Sequence, residues 1–426
     1  MTTTTTPTKS SPPVRLGWIG LGNMGIGMAR NIQRHIAASA SAASAASVSA
    51  LADDVTKSSL AQGREAEADA SAATAAWDTP ADEEDDGDGR GPQHSAVGTG
   101  EEVWPPLRVY NRTASRCEGV EELGGVRCGS VAEVLEGSDV VFLSLSDDAA
   151  VLAMIETLVA TPDTSSATPS HSHSHSHSQS QSPVKGKIII DTTTVHPDTT
   201  KRVTQTLTDH GARFAAMPVF GPAPVAAAGQ LIAAFAGPAD VLEVISPVLK
   251  GVIAREVMVV GDEPEKAVLL KTTSNLLTAT MTQAIAEAHV FAAKTGLPAS
   301  TLERLLELNL GPYAHLTSQR MTSGVYCPAP GTPPWSDLAL ALKDVGHGVD
   351  TAAKRGMRLR AGEATLESLR MARAWAERNG GDGEVRSLDS SSLFGAIREE
   401  NGLDFENDVV KERDGKKEKE ENGGEC

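Results

Sequence analysis

The sequence predicts an α/β fold in which a doubly wound, mostly parallel sheet precedes an all-helical domain. Three observations support this fold class. An apolar strand at 14–19 runs into a glycine-rich turn and a helix, further apolar strands alternate with helices up to Gly261, and the pattern beyond Gly261 is almost wholly helical. Continuous apolar strands separated by helices are typical of a parallel sheet that is covered on both faces.

The first turn has the spacing GxGxxG at the junction of a strand and a helix. Its first glycine allows a tight turn, its second lets the backbone approach a pyrophosphate, and its third lets the helix pack closely on the strand. The positive N-terminus of the helix then faces the phosphates. We therefore predict a Rossmann dinucleotide-binding domain, although a glycine-rich turn without a ligand remains the alternative for this motif alone. The predicted cofactor-binding residues of the turn are Gly20, Leu21, Gly22, Asn23, Met24 and Gly25.

Three further strands and a short helix are predicted in the same domain. The strands lie at 107–110, 139–145 and 187–191, and the helix lies at 131–135. The first of these strands ends in Asn111, Arg112 and Thr113, where an NAD-specific site usually has an acidic residue for the ribose 2′-hydroxyl. Arginine and threonine suit a 2′-phosphate instead, so we expect NADP(H) to be favoured over NAD(H). The alternative is that Arg112 is a solvated turn residue.

Two other strand ends carry polar groups. Leu145 and Ser146 close one strand and are predicted to contact the cofactor. Residues 191–197 follow the next strand at its carboxyl end, the edge where open α/β sheets bind ligands. Hydroxyl groups there can hold a substrate carboxylate or carbonyl, while Thr194 or Asp198 can cap the helix that begins near residue 197. We interpret His196 as a solvated loop histidine.

A long helix is predicted after Gly261. Asp262 is its expected N-cap, Pro264 lies in its first turn, and Glu265 is the expected capping-box partner. The apolar pattern continues to Gly296, which at about 1.5 Å per residue gives roughly 50 Å of helix. Such a helix can join two domains or cross a subunit interface.

Lys271 and Asn275 lie four residues apart on this helix and therefore on one face. A partly desolvated lysine can protonate a carbonyl oxygen during hydride transfer, and the asparagine can orient the substrate or the lysine. By itself Lys271 would be interpreted as a surface lysine. Its combination with the other motifs favours a catalytic role.

The composition limits the remaining possibilities. The chain has 426 residues and a formal net charge of −18, of which residues 53–102 contribute a net 11 negative charges. These residues belong to an alanine-, serine- and acid-rich insert at about 35–104 that lacks core residues. The acidic balance argues against binding to nucleic acid or to an anionic membrane. A second insert at about 161–183 contains alternating histidines, which we interpret as a solvated spacer because no cysteine or carboxylate completes a metal shell.

We expect a cytoplasmic protein. The four cysteines form no CxxC pair and fit a reducing compartment, residues 1–13 have no features of a signal or transit peptide, and no apolar run reaches membrane length. Disorder is predicted for residues 1–13 and for the charged tail at 404–426. The Rossmann domain is then expected at 14–261 and the helical domain at 262–403.

Taken together, these motifs resemble the β-hydroxyacid dehydrogenase family, which includes 3-hydroxyisobutyrate dehydrogenases and glyoxylate/succinic semialdehyde reductases. The resemblance covers about 14–403 outside the two inserts. It implies a Rossmann domain and an all-α domain, a small-molecule site in the cleft between them, and homodimers or homotetramers built through the helices. The matching pieces are GLGNMGxxMARN, VYNRT, DTTT, the turn at 217–221 with 226–230, the Lys271/Asn275 pair and Leu342-Lys343-Asp344.

The resemblance also implies roles for single residues. Lys271 looks like the catalytic acid/base and Asn275 its helper, Thr193 looks like a contact for substrate and cofactor, and Lys343 looks like a cleft lysine near the nicotinamide or the substrate. The implied reaction is the NADP(H)-dependent interconversion of a small 3-hydroxy acid, or a related alcohol, and its aldehyde or ketone. Hydride would pass between the nicotinamide and the carbonyl carbon while Lys271 handles the proton.

Two departures from the family pattern affect the substrate. The substrate loop usually reads Pro-Val-Ser-Gly-Gly, whereas this chain has Phe220, Gly221 and Pro222 at the last three positions. A hydroxyl and a backbone N–H that would hold a carboxylate are therefore missing. The family pattern also has a glycine-rich stretch before the catalytic lysine, and this chain has residues 262–266 there instead. A bulkier or less acidic carbonyl compound is thus an open alternative, with Phe220 and Gly221 as predicted substrate contacts.

Three other functions fit the sequence motifs less well. A 6-phosphogluconate dehydrogenase is disfavoured because no histidine lies between Lys271 and Asn275. An imine reductase on the same scaffold, and a non-catalytic NADP-binding scaffold protein, remain as alternatives. Retention of Lys271 favours alcohol and carbonyl chemistry over both.

Overall fold

The computed structural model describes residues 13–56, 104–160, 181–380 and 384–422. Its strands are β1 (Leu16–Ile19), β2 (Arg108–Tyr110), β3 (Val126–Arg127), β4 (Val140–Leu143), β5 (Ile188–Asp191), β6 (Arg213–Ala216), β7 (Val219–Phe220), β8 (Leu231–Ala236) and β9 (Ala254–Gly261). Its helices are α1 (Gly25–Thr56), α2 (Glu118–Glu121), α3 (Val131–Glu136), α4 (Asp148–Val159), α5 (Pro197–Asp209), α6 (Ala223–Ala227), α7 (Ala239–Ile245), α8 (Pro264–Thr295), α9 (Ala299–Thr322), α10 (Leu338–Ala353), α11 (Arg360–Arg378), α12 (Leu393–Glu400) and α13 (Asp408–Asn422).

All nine strands form one sheet in the order β3-β2-β1-β4-β5-β6-β8-β7, with β9 also paired to β8. The first six strands run parallel, whereas β8 is antiparallel to β6 and β7. The order 3-2-1-4-5-6 reverses direction between β1 and β4, and that reversal creates the crevice in which dinucleotides bind. The predicted fold class, a mostly parallel α/β sheet followed by a helical region, is confirmed.

Burial explains why the central strands are continuously apolar. Every residue of β1 and β4 is buried because helices cover both faces of the sheet. Trp18 of β1 stacks on Phe142 of β4 with 5.2 Å between ring centroids. A separate apolar cluster lies among the helices after Gly261, where Trp375 and Phe405 stack with 3.8 Å between centroids.

The long helix α8 begins later than predicted. Its N-cap is Glu263, which makes no side-chain capping bond, so the capping box expected at Asp262 is wrong. Strand β9 continues to Gly261, and Pro264 opens the helix because a first-turn residue needs no N–H partner. The predicted end is confirmed: Gly296 follows the last turn in the left-handed conformation, with φ of 77°.

Two segments predicted to lack structure are partly helical. Helix α1 continues to Thr56, beyond the expected start of the first insert at about 35, because alanine favours helix strongly. The tail from 404 onwards, which was expected to be disordered, contains α13. Two apolar residues near the start of this tail, Phe405 and Val410, are buried. The Tyr326 hydroxyl donates to the Phe405 carbonyl and fixes this segment.

The rest of the first insert and the histidine-rich segment lie outside the described residues, and so do 1–12. Among the helices that the structure does describe, none combines the length and the apolar character needed to span a bilayer.

Candidate active site

The glycine turn between β1 and α1 has the geometry that its spacing predicts. Gly20 has a φ of 97°, and a Cβ built there would lie 2.2 Å from the Ser144 carbonyl oxygen. A Cβ at Gly25 would lie 2.2 Å from the Gly20 carbonyl oxygen, whereas a Cβ at Gly22 would meet no atom within 4 Å. Gly20 and Gly25 therefore serve the packing of the turn. Gly22 faces open space at the N-terminus of α1, which fits a pyrophosphate.

The end of β2 lies beside this turn. The Leu21 N–H donates to the Asn111 side-chain oxygen at 2.8 Å, and the Asn111 amide donates to the Thr113 carbonyl at 3.0 Å. Arg112 and Thr113 are exposed next to them, as is Asn23 of the turn, while Met24 is half-buried. The structure thus brings the two predicted cofactor segments together.

Arg116 was not predicted as a site residue, and the structure adds it to this group. Its guanidinium donates to the Leu21 carbonyl at 3.3 Å from a 3-10 turn at Ala114–Cys117. The spacing from Arg112 to Arg116, four residues in a turn after a strand, is a signal that could have indicated it. Arg116 thus brings a guanidinium to the glycine turn, four residues after the exposed Arg112.

The ends of β4 and β5 are tied to each other by Thr193. Its hydroxyl oxygen accepts from the Leu145 N–H at 2.9 Å, and its own N–H donates to the Asp191 carboxylate at 2.9 Å. Ser146 donates to the Asp147 carboxylate at 2.8 Å. Burial raises the pKa of Asp191 to about 6. Thr193 is buried and holds the sheet edge, and its contact with substrate stays a prediction.

Lys271 faces an aromatic ring. Its Nζ lies 4.8 Å from the centroid of Phe220, at the end of β7, and the lysine is half-buried. Burial lowers the pKa of Lys271, the charge of Asp344 opposes this change and the charge of Lys343 adds to it, so that the pKa is about 8. Gly221, after Phe220, has a φ of 131°, which favours glycine. The ammonium therefore loses its proton more readily than an exposed lysine does.

Asn275 contacts a different partner from Lys271. Its amide donates to Asp344 Oδ2 at 2.7 Å, and Lys343 Nζ lies 2.9 Å from Asp344 Oδ1. Lys343 also donates to the carbonyl of Thr194. These contacts join α8, α10 and the loop after β5. The sequence motif included Asp344 but did not assign it a site role, because its partner on α8 is distant along the chain.

The interpretation of His196 as a solvated histidine is wrong. His196 is buried, and its Nδ1 accepts from the Asp198 N–H at 3.0 Å, so this residue caps α5 in place of Thr194 or Asp198. Its Nε2 lies 3.1 Å from the Thr351 hydroxyl and 3.0 Å from Asp350 Oδ2, both on α10. Burial lowers the pKa of His196. The histidine therefore helps to hold the helical region against the sheet.

Comparisons with known proteins identify similar oxidoreductases. A sequence model of the NAD binding domain of 6-phosphogluconate dehydrogenase matches residues 105–261. The chain is 27% identical to the NADH-dependent oxidoreductase ucdB of Aspergillus ustus over 71% of this chain and 93% of that protein. It is 28% identical to glyoxylate/succinic semialdehyde reductase 1 of Arabidopsis thaliana over 55% of this chain and 76% of that protein.

Solved structures show the same fold. The 3-hydroxyisobutyrate dehydrogenase of Mycobacterium tuberculosis, solved with L-serine, aligns with a TM-score of 0.57 at 20% identity, over 91% of this chain and 99% of that chain. This similarity extends across both the sheet and the helical region.

Proposed function

We propose that this chain, which is similar to dehydrogenases and reductases of the β-hydroxyacid dehydrogenase family, is an NADP(H)-dependent oxidoreductase. It interconverts a small 3-hydroxy acid, or a related alcohol, and its aldehyde or ketone. The observation that carries this proposal is Lys271, a half-buried ammonium on α8 whose pKa is lowered to about 8. A group with a pKa near the working pH is well suited to both donate and accept a proton.

Lys271 acts on the oxygen of the reacting group. In reduction its ammonium donates a proton to the carbonyl oxygen as the carbon accepts hydride, and the product is the alcohol. In oxidation the neutral amine accepts the hydroxyl proton. A bound nicotinamide would supply or accept the hydride. Asn275 donates its amide to Asp344, so its side-chain oxygen is left to accept from Lys271 or from a substrate hydroxyl.

The cofactor would be held along the carboxyl edge of the sheet. Gly22 and the N-terminus of α1 suit the pyrophosphate, and Leu145, Ser146, Thr193 and Lys343 suit the nicotinamide end. Arg112 and Arg116 suit a 2′-phosphate, and residues 111–117 contain no acidic side chain that would repel it. The name of the Aspergillus relative specifies NADH, whereas the two arginines of this chain favour NADP(H).

We further propose homodimers or homotetramers in the cytoplasm, with the domain boundary between 261 and 262. Large apolar side chains are exposed on α8 and α9, and such faces often mark contacts between subunits. They are Leu277, Phe291, Leu305, Leu308, Leu310, Tyr313 and Leu316. Light scattering on the purified protein would give the subunit number, and a monomer at micromolar concentration would contradict this part.

The test of the reaction is oxidation of NADPH and NADH with succinic semialdehyde, glyoxylate, methylmalonate semialdehyde and larger aldehydes. Lys271→Ala should reduce turnover by about 100-fold or more, the range for loss of a general acid. Lys266→Ala is the matched control, because Lys266 is an exposed lysine on the same helix. Equal turnover by the parent and Lys271→Ala would contradict the proposal. Cofactor binding without turnover of any compound would favour the scaffold alternative.

A further inference from the structure

We propose that Phe220 selects carbonyl compounds whose nearby substituent is uncharged and apolar, and that it disfavours substrates with a carboxylate at that position. This inference rests on the proposed function and names the substrate class within it. Phe220 is half-buried, and strand β7 is held by antiparallel pairing with β8, in which Phe220 faces Ile232. The ring is thereby fixed 4.8 Å from Lys271 Nζ.

The segment that carries Phe220 has no side chain suited to a carboxylate. None of the thirteen residues at 217–229 has a polar side chain, and three of them are prolines, which also lack a backbone N–H. Phe220 packs on a small apolar cluster beneath it, formed by Ala216, Ala234, Ala236, Ala267 and Val268. A substrate substituent on this side of Lys271 therefore meets an apolar surface.

The neighbouring lysine does not compensate. Lys343 donates to the Thr194 carbonyl and lies 2.9 Å from Asp344 Oδ1, so its charge is already balanced. A carboxylate against Phe220 would have to pair with Lys271, the group that must release its proton. Such pairing favours the charged form of the lysine and raises its pKa, which opposes proton transfer. An uncharged substituent fills the same space without this cost.

The aromatic ring also acts on Lys271 directly. A ring face within about 6 Å of an ammonium favours the charged form. Replacing Phe220 with leucine keeps the wall apolar but removes this effect, so the pKa of Lys271 should fall. Replacing Phe220 with serine adds a hydroxyl donor and space for a carboxylate. The two variants thus separate apolar character from aromatic character.

The experiment compares butanal with succinic semialdehyde. Both are four-carbon aldehydes, and the fourth carbon is a methyl group in butanal and a carboxylate in succinic semialdehyde. The parent should have at least a tenfold higher kcat/KM for butanal. Phe220→Ser should lower that ratio by tenfold or more, and Phe220→Leu should leave it within about threefold. A parent that prefers succinic semialdehyde, or a ratio unchanged in Phe220→Ser, would overturn the inference while leaving the proposed function intact.

A second readout does not depend on turnover. An amine-reactive acylating reagent modifies only the neutral form of Lys271. The rate of this acylation as a function of pH, measured by mass spectrometry of the peptide that contains Lys271, gives the pKa of the lysine in the folded protein. Phe220→Leu should shift that profile to lower pH. Butyramide should protect Lys271 better than succinamate, which has the same amide but ends in a carboxylate instead of a methyl group. Better protection by succinamate would overturn the inference, even if the enzyme turned over no compound. An unshifted profile would overturn the direct effect of the Phe220 ring on Lys271. A lack of turnover would separately refute the proposed function.

Discussion

Replacement of Lys271 by methionine should make the protein more stable at neutral pH while it removes activity. Lys271 is half-buried on α8, and burial lowers its pKa from the ordinary value of 10.5 to about 8. Folding therefore disfavours the charged form of this side chain. Methionine has a similar length and helix propensity and carries no charge. The variant removes the unfavourable burial of the ammonium without breaking the helix.

The size of the effect follows from the pKa values. A fall from 10.5 to about 8 corresponds to a destabilisation of about 3 kcal/mol whenever both the folded and the unfolded chain are protonated. Lys271→Met should then gain about 3 kcal/mol at pH 7. The gain shrinks as pH rises from about 8 towards 10.5, because the folded chain loses its proton first, and it should be under about 1 kcal/mol at pH 10.

Urea unfolding of the parent and of Lys271→Met at pH 7 and pH 10 measures this difference. Lys266→Met is the control, since Lys266 is exposed and lies 3.4 Å from Glu263 in a surface ion pair. That control should lose less than about 1 kcal/mol at both pH values. A Lys271→Met variant that is less stable than the parent at pH 7, or a gain that does not depend on pH, would refute the reasoning.

Three further predictions concern the pH profile, the cofactor and the C-terminal segment. The kcat/KM for reduction should fall tenfold per pH unit above about 8, because the protonated form of Lys271 is the active one. The rate of oxidation should rise through the same pH range. A reduction rate that rises through pH 8 would count against this role of Lys271. Substituting both Arg112 and Arg116 by alanine should raise the Kd for NADPH by about 10- to 100-fold and change the Kd for NADH by less than about threefold. A fluorescence titration measures both values. Equal effects on the two cofactors would contradict the assignment of these arginines to the 2′-phosphate. Tyr326→Phe should lower the free energy of unfolding in urea by about 1–3 kcal/mol, because the carbonyl of the buried Phe405 loses its hydrogen-bond donor. An unchanged midpoint of unfolding would be inconsistent with that hydrogen bond.

Local sequence patterns were sufficient for much of the fold. The glycine turn, the buried strands and the end of α8 at Gly296 each depend on residues that are neighbours in the chain. Gly20 and Gly25 are required by contacts within the β1–α1 unit and with the adjacent strand end, so their spacing alone indicates the turn. The helical region after Gly261 was likewise evident from its periodicity.

The contacts that complete the site depend on distant residues. Asn275 bonds to Asp344, 69 positions later, and His196 meets Thr351, 155 positions later. Periodicity contains no information on which side chains meet between distant parts of the chain, so His196 could not be given a partner from the sequence. The charged composition of 404–415 led to a wrong prediction of disorder. Two apolar side chains of this segment, Phe405 and Val410, are buried and hold α13 against the helical region despite the surrounding charged residues.

The central claim is that Lys271 transfers the proton in a nicotinamide-dependent reduction. Chemical rescue of Lys271→Ala by small primary amines tests it most directly, because an external amine can occupy the space left by the side chain. Turnover should be lost in the variant, should return in proportion to added methylammonium or ethylammonium, and should vary with the pKa of the amine. Full turnover by Lys271→Ala without any amine would contradict the claim.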